Sequence, residues 1–142
     1  MADAPPPNFL GTGWTFPPTF SRQSAAVVMS SDVANIKECL WVLFATNLGE
    51  RIMLATYGSG LRRKVFATLT EMLVNDIRSL IAQAILDWEP RIDVLRVDVQ
   101  EVSPLDVELA ISVDFVVRQT NARSNLVYPF YLSEATLGPP AL

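Results

Sequence analysis

The chain has 142 residues, 50% of them hydrophobic, and a net charge of −4, which suits one compact domain that needs neither metal nor disulfide to hold a core. Histidine is absent and Cys39 is the single cysteine, so Ser-His and Cys-His nucleophile pairs, histidine metal sites and an internal disulfide are excluded. The acidic balance (pI ≈ 4.7) disfavours nucleic acid as a partner. No run approaches the roughly 18 apolar residues of a membrane span, and residues 1–30 lack the basic start and apolar core of a secretory signal. A mean hydropathy of +0.27 fits either apolar surface covered by a partner or a core rich in Val and Leu.

Residues 1–30 open the chain as a proline-punctuated arm. Pro5, Pro6, Pro7, Pro17 and Pro18 forbid a regular helix or a central strand through it, and Asp3 and Arg22 are its charges. Phe9, Trp14, Phe16 and Phe20 make it too aromatic for an inert linker. They are expected to anchor it in a groove, either on its own domain or on a neighbour.

Val33–Asn47 is predicted as the first helix, capped by Ser31 or Asp32 and stopped by Gly49. Ile36, Leu40, Leu43 and Phe44 form one face, and Trp41 and Val42 widen it, so this helix should be covered on more than one side. Residues 50–65 form an irregular connection holding Tyr57-Gly58-Ser59-Gly60 and then Arg62-Arg63-Lys64. A loop of this length inside a small domain is more often functional than idle.

The second helix is predicted to start at a capping box, Thr68 with Glu71. Leu69, Met72, Leu73, Ile77, Leu80, Ile81, Ala84, Ile85 and Trp88 make its apolar face, and Pro90 ends it. From Asp93 the period becomes two. Leu95, Val97 and Val99 lie on one strand, Leu105–Val117 is a longer one, and after a turn at Asn121–Asn125 comes Leu126–Leu132. Pro129 marks that third strand as an edge. The expected fold is α+β, with two helices packed on one face of a three-stranded antiparallel β-meander. The expected organisation is the arm at 1–30, a single α+β domain at 31–135 and a short C-terminal tail at 136–142.

Without histidine, catalysis would fall to carboxylates, as in glycoside hydrolysis by an acid pair ~5–9.5 Å apart. Glu50, Asp87, Glu89 and Asp93 are the candidates, yet nothing in the sequence places any of them in an apolar pocket. Gly58-Ser59-Gly60 lacks the rest of a phosphate-binding loop and reads as a tight turn. Arg62, Arg63 and Lys64 suit a carboxylate-bearing protein partner. Eight acids stand against two arginines from Asp87 to Asp114, and four bases without an acid from Arg51 to Lys64. Such segregation suits a part docked between unlike surfaces, or simply a solvated outer face of the sheet. No cofactor or metal is implied.

Several motifs together resemble a known family. Leu40-Trp41-Val42-Leu43-Phe44-Ala45-Thr46, Gly49-Glu50-Arg51, Tyr57-Gly58, and Trp88-Glu89-Pro90-Arg91 followed by Ile92 and the strand Leu95–Val99 look like the small, lysozyme-like baseplate wedge protein of contractile phage tails. Its relatives occur in type VI secretion baseplates and extracellular contractile injection systems. The resemblance covers about residues 27–133, and Gly11-Thr12-Gly13-Trp14 with Phe16-Pro17-Pro18 looks most like the injection-system branch.

The resemblance implies a structural, non-enzymatic baseplate component. It implies that Glu89, Pro90 and Arg91 contact the helical core bundle of the larger wedge subunits, and that the sheet is the platform where the first sheath ring attaches and sheath assembly begins. Arg91 can fork a carboxylate, and Pro90 fixes both charges at the helix end. The third strand, at Leu126, Val127, Tyr128 and Phe130, is the expected place for strand addition by a sheath subunit. Spike or hub proteins are further candidate partners, with several copies in a six-fold baseplate and no nucleic acid or membrane insertion. The particle would be assembled in the bacterial cytoplasm, with later release left open. The lysozyme-like label is not carried over as an activity. A peptidoglycan glycosidase and a non-particle adaptor domain are the alternatives.

Overall fold

The structure, a computed structural model, describes residues 9–105 and 108–132. Short strands β1 (Thr12–Trp14), β2 (Phe20–Ser21), β3 (Ala26–Val27) and β4 (Met29–Ser31) precede helix α1 (Asp32–Ala45). A short 3-10 turn at Leu61–Lys64 leads to helix α2 (Glu71–Trp88). The chain then runs through β5 (Ile92–Ser103), β6 (Glu108–Val117) and β7 (Ala122–Tyr131).

Strands β5, β6 and β7 pair antiparallel in that order, which is the expected meander under two helices. Leu109, Ile111, Val113, Phe115 and Val117 of β6 are buried, and the residues between them are half-buried on the other face. Tyr128 meets Trp41 and Phe44 of α1 edge to face, at ring centroid distances of 4.8 and 5.5 Å. Leu73, Ile77, Ile81, Ala84 and Ile85 of α2 complete the core. Met72, expected on that face, is exposed.

The arm departs from expectation. Between Thr12 and Ser31 it is not extended but folds back on itself. Thr12, Gly13 and Trp14 pair with Ser31, Ser30 and Met29, and further out Phe20 and Ser21 pair with Val27 and Ala26. The prolines exclude a central strand, but Pro17 and Pro18 fall between β1 and β2, where no ladder donor is needed. Residues 1–8 and the predicted tail at 136–142 lie outside the described residues, as do Asp106 and Val107 of the predicted strand Leu105–Val117.

Local boundaries also shift for identifiable reasons. The α2 cap is Thr70, whose side chain accepts from the Leu73 N–H at 3.2 Å, so Thr68 is not the cap. Helix α1 ends at Ala45 with Thr46 as its cap, three residues before Gly49. A β-bulge between Val94 and Arg96 turns Leu95 outward and gives its place on the buried face to Val94, overturning the simple Leu95-Val97-Val99 alternation. The β6–β7 turn comes at 118–121 rather than Asn121–Asn125, with Asn121 at φ +52, a conformation asparagine tolerates.

Candidate functional site

Where α2 ends, Pro90 stops the helix and Glu89 folds inward. Glu89 is 5% exposed, and Arg91 grips its carboxylate with Nε on Oε1 at 2.6 Å and Nη2 on Oε2 at 2.7 Å. This is a two-pronged, charge-assisted pair closed across the proline. The Arg91 Nη1 donates to the Leu10 carbonyl at 2.9 Å and to Asn35 Oδ1 at 3.0 Å. Asn35, itself buried, donates to Ser30 Oγ at 3.3 Å, and Ser30 donates to the buried Glu38 carboxylate. The hydrogen bonds that Arg91 donates to Glu89, and then the Glu89 charge, hold the guanidinium protonated well above its ordinary range despite partial burial.

This network clamps the folded-back arm onto α1 and the Glu-Pro-Arg corner. Gly13 belongs to it by shape: a Cβ there would lie 2.6 Å from Asn35 Nδ2. Gly11, at φ +88, brings the chain past Arg91 in a conformation that favours glycine. Leu10 is buried and Phe16 packs partly against the core, while Phe9, Trp14 and Phe20 are exposed. Of the four arm aromatics, one faces its own domain and three face outward.

The loop after α1 brings the other motifs to the same corner. Arg51 lies over the Tyr57 ring at 4.2 Å, and Tyr57 meets Trp88 edge to face at 5.2 Å. Burial pushes the Tyr57 phenol up, with Arg51 opposing. The Trp88 Nε1 donates to the Thr56 carbonyl at 3.2 Å, and Glu50 accepts from the Asn47 N–H at 2.8 Å. Gly58, at φ +129, must be glycine, because a Cβ would stand 2.6 Å from the Thr46 carbonyl oxygen. A depression of about 330 Å³ opens here between Cys39, Tyr57, Trp88 and the Glu-Pro-Arg corner.

The remaining candidates are not gathered at this corner. Lys64 pairs with Asp76 at 3.0 Å, whereas Arg62 and Arg63 are exposed. On β7, Leu126, Tyr128 and Phe130 point into the core, and Val127 is half exposed. A groove of about 690 Å³ runs between α1 and this strand, lined by Val33, Lys37, Trp41, Leu126 and Val127. Each candidate catalytic acid is engaged. Glu89 is held by Arg91, Asp93 by Arg118 at 2.7 Å, Asp87 by Gln83 at 2.8 Å, and Glu50 by the loop.

Asn35, Ser30 and Glu38 went unnoticed in the sequence. The available signal was two polar residues three apart on a helix already predicted to be covered on more than one side.

The family model for the baseplate wedge protein gp25 matches residues 30–122, and the chain belongs to that family. A candidate tail lysozyme of Geobacter sulfurreducens is 36% identical, with a TM-score of 0.70 over 78% of this chain and 100% of that one. A chain of the anti-feeding prophage baseplate is 28% identical, with a TM-score of 0.63 over 88% of each. A chain of the type VI secretion baseplate complex shares the fold, with a TM-score of 0.55 at 16% identity over 70% of this chain and 92% of that one. No curated protein matches the chain significantly.

Proposed function

We propose that this chain is a non-catalytic wedge subunit that joins the core of a contractile baseplate to the first ring of its sheath. The proposed partners are the larger wedge subunits at the Glu89-Pro90-Arg91 corner and a sheath strand along β7. Spike or hub proteins are further candidates, with several copies around a six-fold axis. In this reading the particle assembles in the cytoplasm. The family places the protein among baseplate components of contractile systems, and the observation that carries the sheath contact is the edge of β7.

Strand β7 ends the sheet, and Pro129 pairs with Ala110. The Arg118 N–H donates to the Arg91 carbonyl on the β5 side, so even-numbered β6 residues bond β5 and odd-numbered ones bond β7. In the β7 register, Pro129 and Val127 then direct their backbone away from β6. The proline removes a donor from the outer edge and none from the ladder. Lysine, the usual guard of such an edge, is absent after Lys64. Strand addition at this edge supplies main-chain hydrogen bonds, and a fixed register sets which faces meet.

Val127→Pro removes the next outward N–H and spares the β6–β7 ladder. It should give baseplates that form but carry no polymerised sheath in electron micrographs. Normal full-length sheaths would refute strand addition. For the non-catalytic reading, purified protein should not clear a peptidoglycan suspension. Clearing that Glu89→Gln abolishes would reverse it.

A further inference from the structure

Phe66 combines two properties that folded chains avoid. It is a bulky residue at φ +67, in the left-handed region, and its side chain is 81% exposed. Its N–H donates to the Leu132 carbonyl at 2.6 Å, which ties the turn to the end of β7. Leu61 is buried, and Val65 and Ala67 pack against the core, so the backbone on both sides is anchored while Phe66 is held outward. Two residues earlier, Lys64 is spoken for by Asp76, but Arg62 and Arg63 before it are exposed and form no ion pair among the described residues. Stability alone favours glycine at such a position, and a strained, presented side chain points to use.

We propose that Arg62, Arg63 and Phe66 form a preorganised docking turn for an acidic segment of a neighbouring protein subunit, with Phe66 filling an apolar recess and the two arginines taking carboxylates. Aromatic and arginine side chains are the usual anchors of protein interfaces, and a turn already fixed in its bound shape loses little freedom on binding. The charge complement is a carboxylate-bearing surface. Nucleic acid and anionic lipid are poorer partners, because the chain as a whole carries −4. This turn stands beside the end of β7, at the end of α2 opposite the Glu-Pro-Arg corner, and the proposal rests on the chain being a baseplate subunit.

The test uses cells that make the particle. Phe66→p-benzoylphenylalanine, irradiated in assembled particles, should cross-link to a peptide of another subunit with Asp or Glu within a few residues of the link. Phe66→Ala, and separately Arg62→Glu with Arg63→Glu, should reduce incorporation of the chain about tenfold or more, the range of an interface anchor. Phe66→Gly should raise the melting temperature of the isolated protein, since it relieves the left-handed backbone and forfeits no buried contact, and it should still lower incorporation. A cross-link to nucleic acid, to lipid, to a second copy of this chain, to residues 133–142 of the same chain or to a segment without acids would overturn the proposal. So would normal incorporation of the variants, or a lower melting temperature for Phe66→Gly. Absence of the unmodified chain from purified particles would instead sink the baseplate reading itself.

Discussion

Arg91→Ala isolates what the Glu-Pro-Arg corner does inside the chain. The substitution leaves a carboxylate, Glu89, that is 5% exposed and has lost both of its charge-assisted bonds, and it takes a donor from Leu10 and from Asn35. Removing one member of a buried ion pair destabilises by about 3–5 kcal/mol, because the remaining charge stays desolvated. For a chain of this size that is a fall of roughly 10–15 °C in melting temperature. Glu89→Gln is milder, about 1–3 kcal/mol, because Arg91, 26% exposed, can turn to water and the amide oxygen still accepts. Thermal unfolding followed by circular dichroism gives the order. Hydrogen exchange over Thr12–Trp14 and Met29–Ser31 shows whether the arm loosens with it, as it should when its clamp is gone. Gly13→Ala offers a control that leaves both charges alone: its Cβ collides with Asn35, so arm protection should fall while the Glu89–Arg91 pair stays closed. A loss under about 1 kcal/mol for Arg91→Ala, with arm protection unchanged, would refute the clamp and return the corner wholly to an outside partner.

Thr70→Ala should lower stability by about 1 kcal/mol through loss of the α2 cap, while Thr68→Ala should leave the melting temperature unchanged. Gly58→Ala should destabilise more than a surface change does, because its Cβ meets backbone rather than a movable side chain; urea unfolding should show a lower midpoint at an unchanged slope. The Gln100 amide foremost, then Arg96 and Arg78, hold the Asp98 carboxyl below its ordinary value. Its contribution to stability is therefore complete above about pH 4, the unfolded value, and is lost as pH falls through the lower folded one. A carboxyl-carbon NMR titration of Asp98 with a midpoint at or above the ordinary value would contradict this.

The strongly periodic parts of the fold were legible because one physical signal dominated each. The α2 face and the alternation along β6 record burial on one side of an element, and Pro129 records an N–H that the ladder of the edge strand does not use. Sequence reasoning failed where a local rule was overridden by a partner distant in the chain. The proline-rich arm reads as extended by itself, yet it folds back by pairing Thr12–Trp14 with Met29–Ser31 and is held at Leu10 by Arg91, 81 residues away, a separation that a periodicity argument does not reach. The bulge at Leu95 shifted half of β5 by one residue, and no local residue announces it.

The Glu-Pro-Arg corner is the instructive case. The sequence shows two opposite charges locked around a proline, which suits an inward pair and an outward docking point equally. The geometry assigns four of the guanidinium's contacts to the chain itself: both Glu89 oxygens, Leu10 and Asn35. An outside carboxylate reaching Arg91 therefore meets a group already committed to holding the arm. Binding there and seating of the arm share one cation, so a partner that takes Arg91's contacts must either replace those of Leu10 and Asn35 or add to them at the exposed rim. The first loosens the arm with its three outward aromatics; the second leaves it fixed. Arm protection measured with and without the bound wedge core distinguishes the two. The sign of that change is the coupling between the two ends of this subunit.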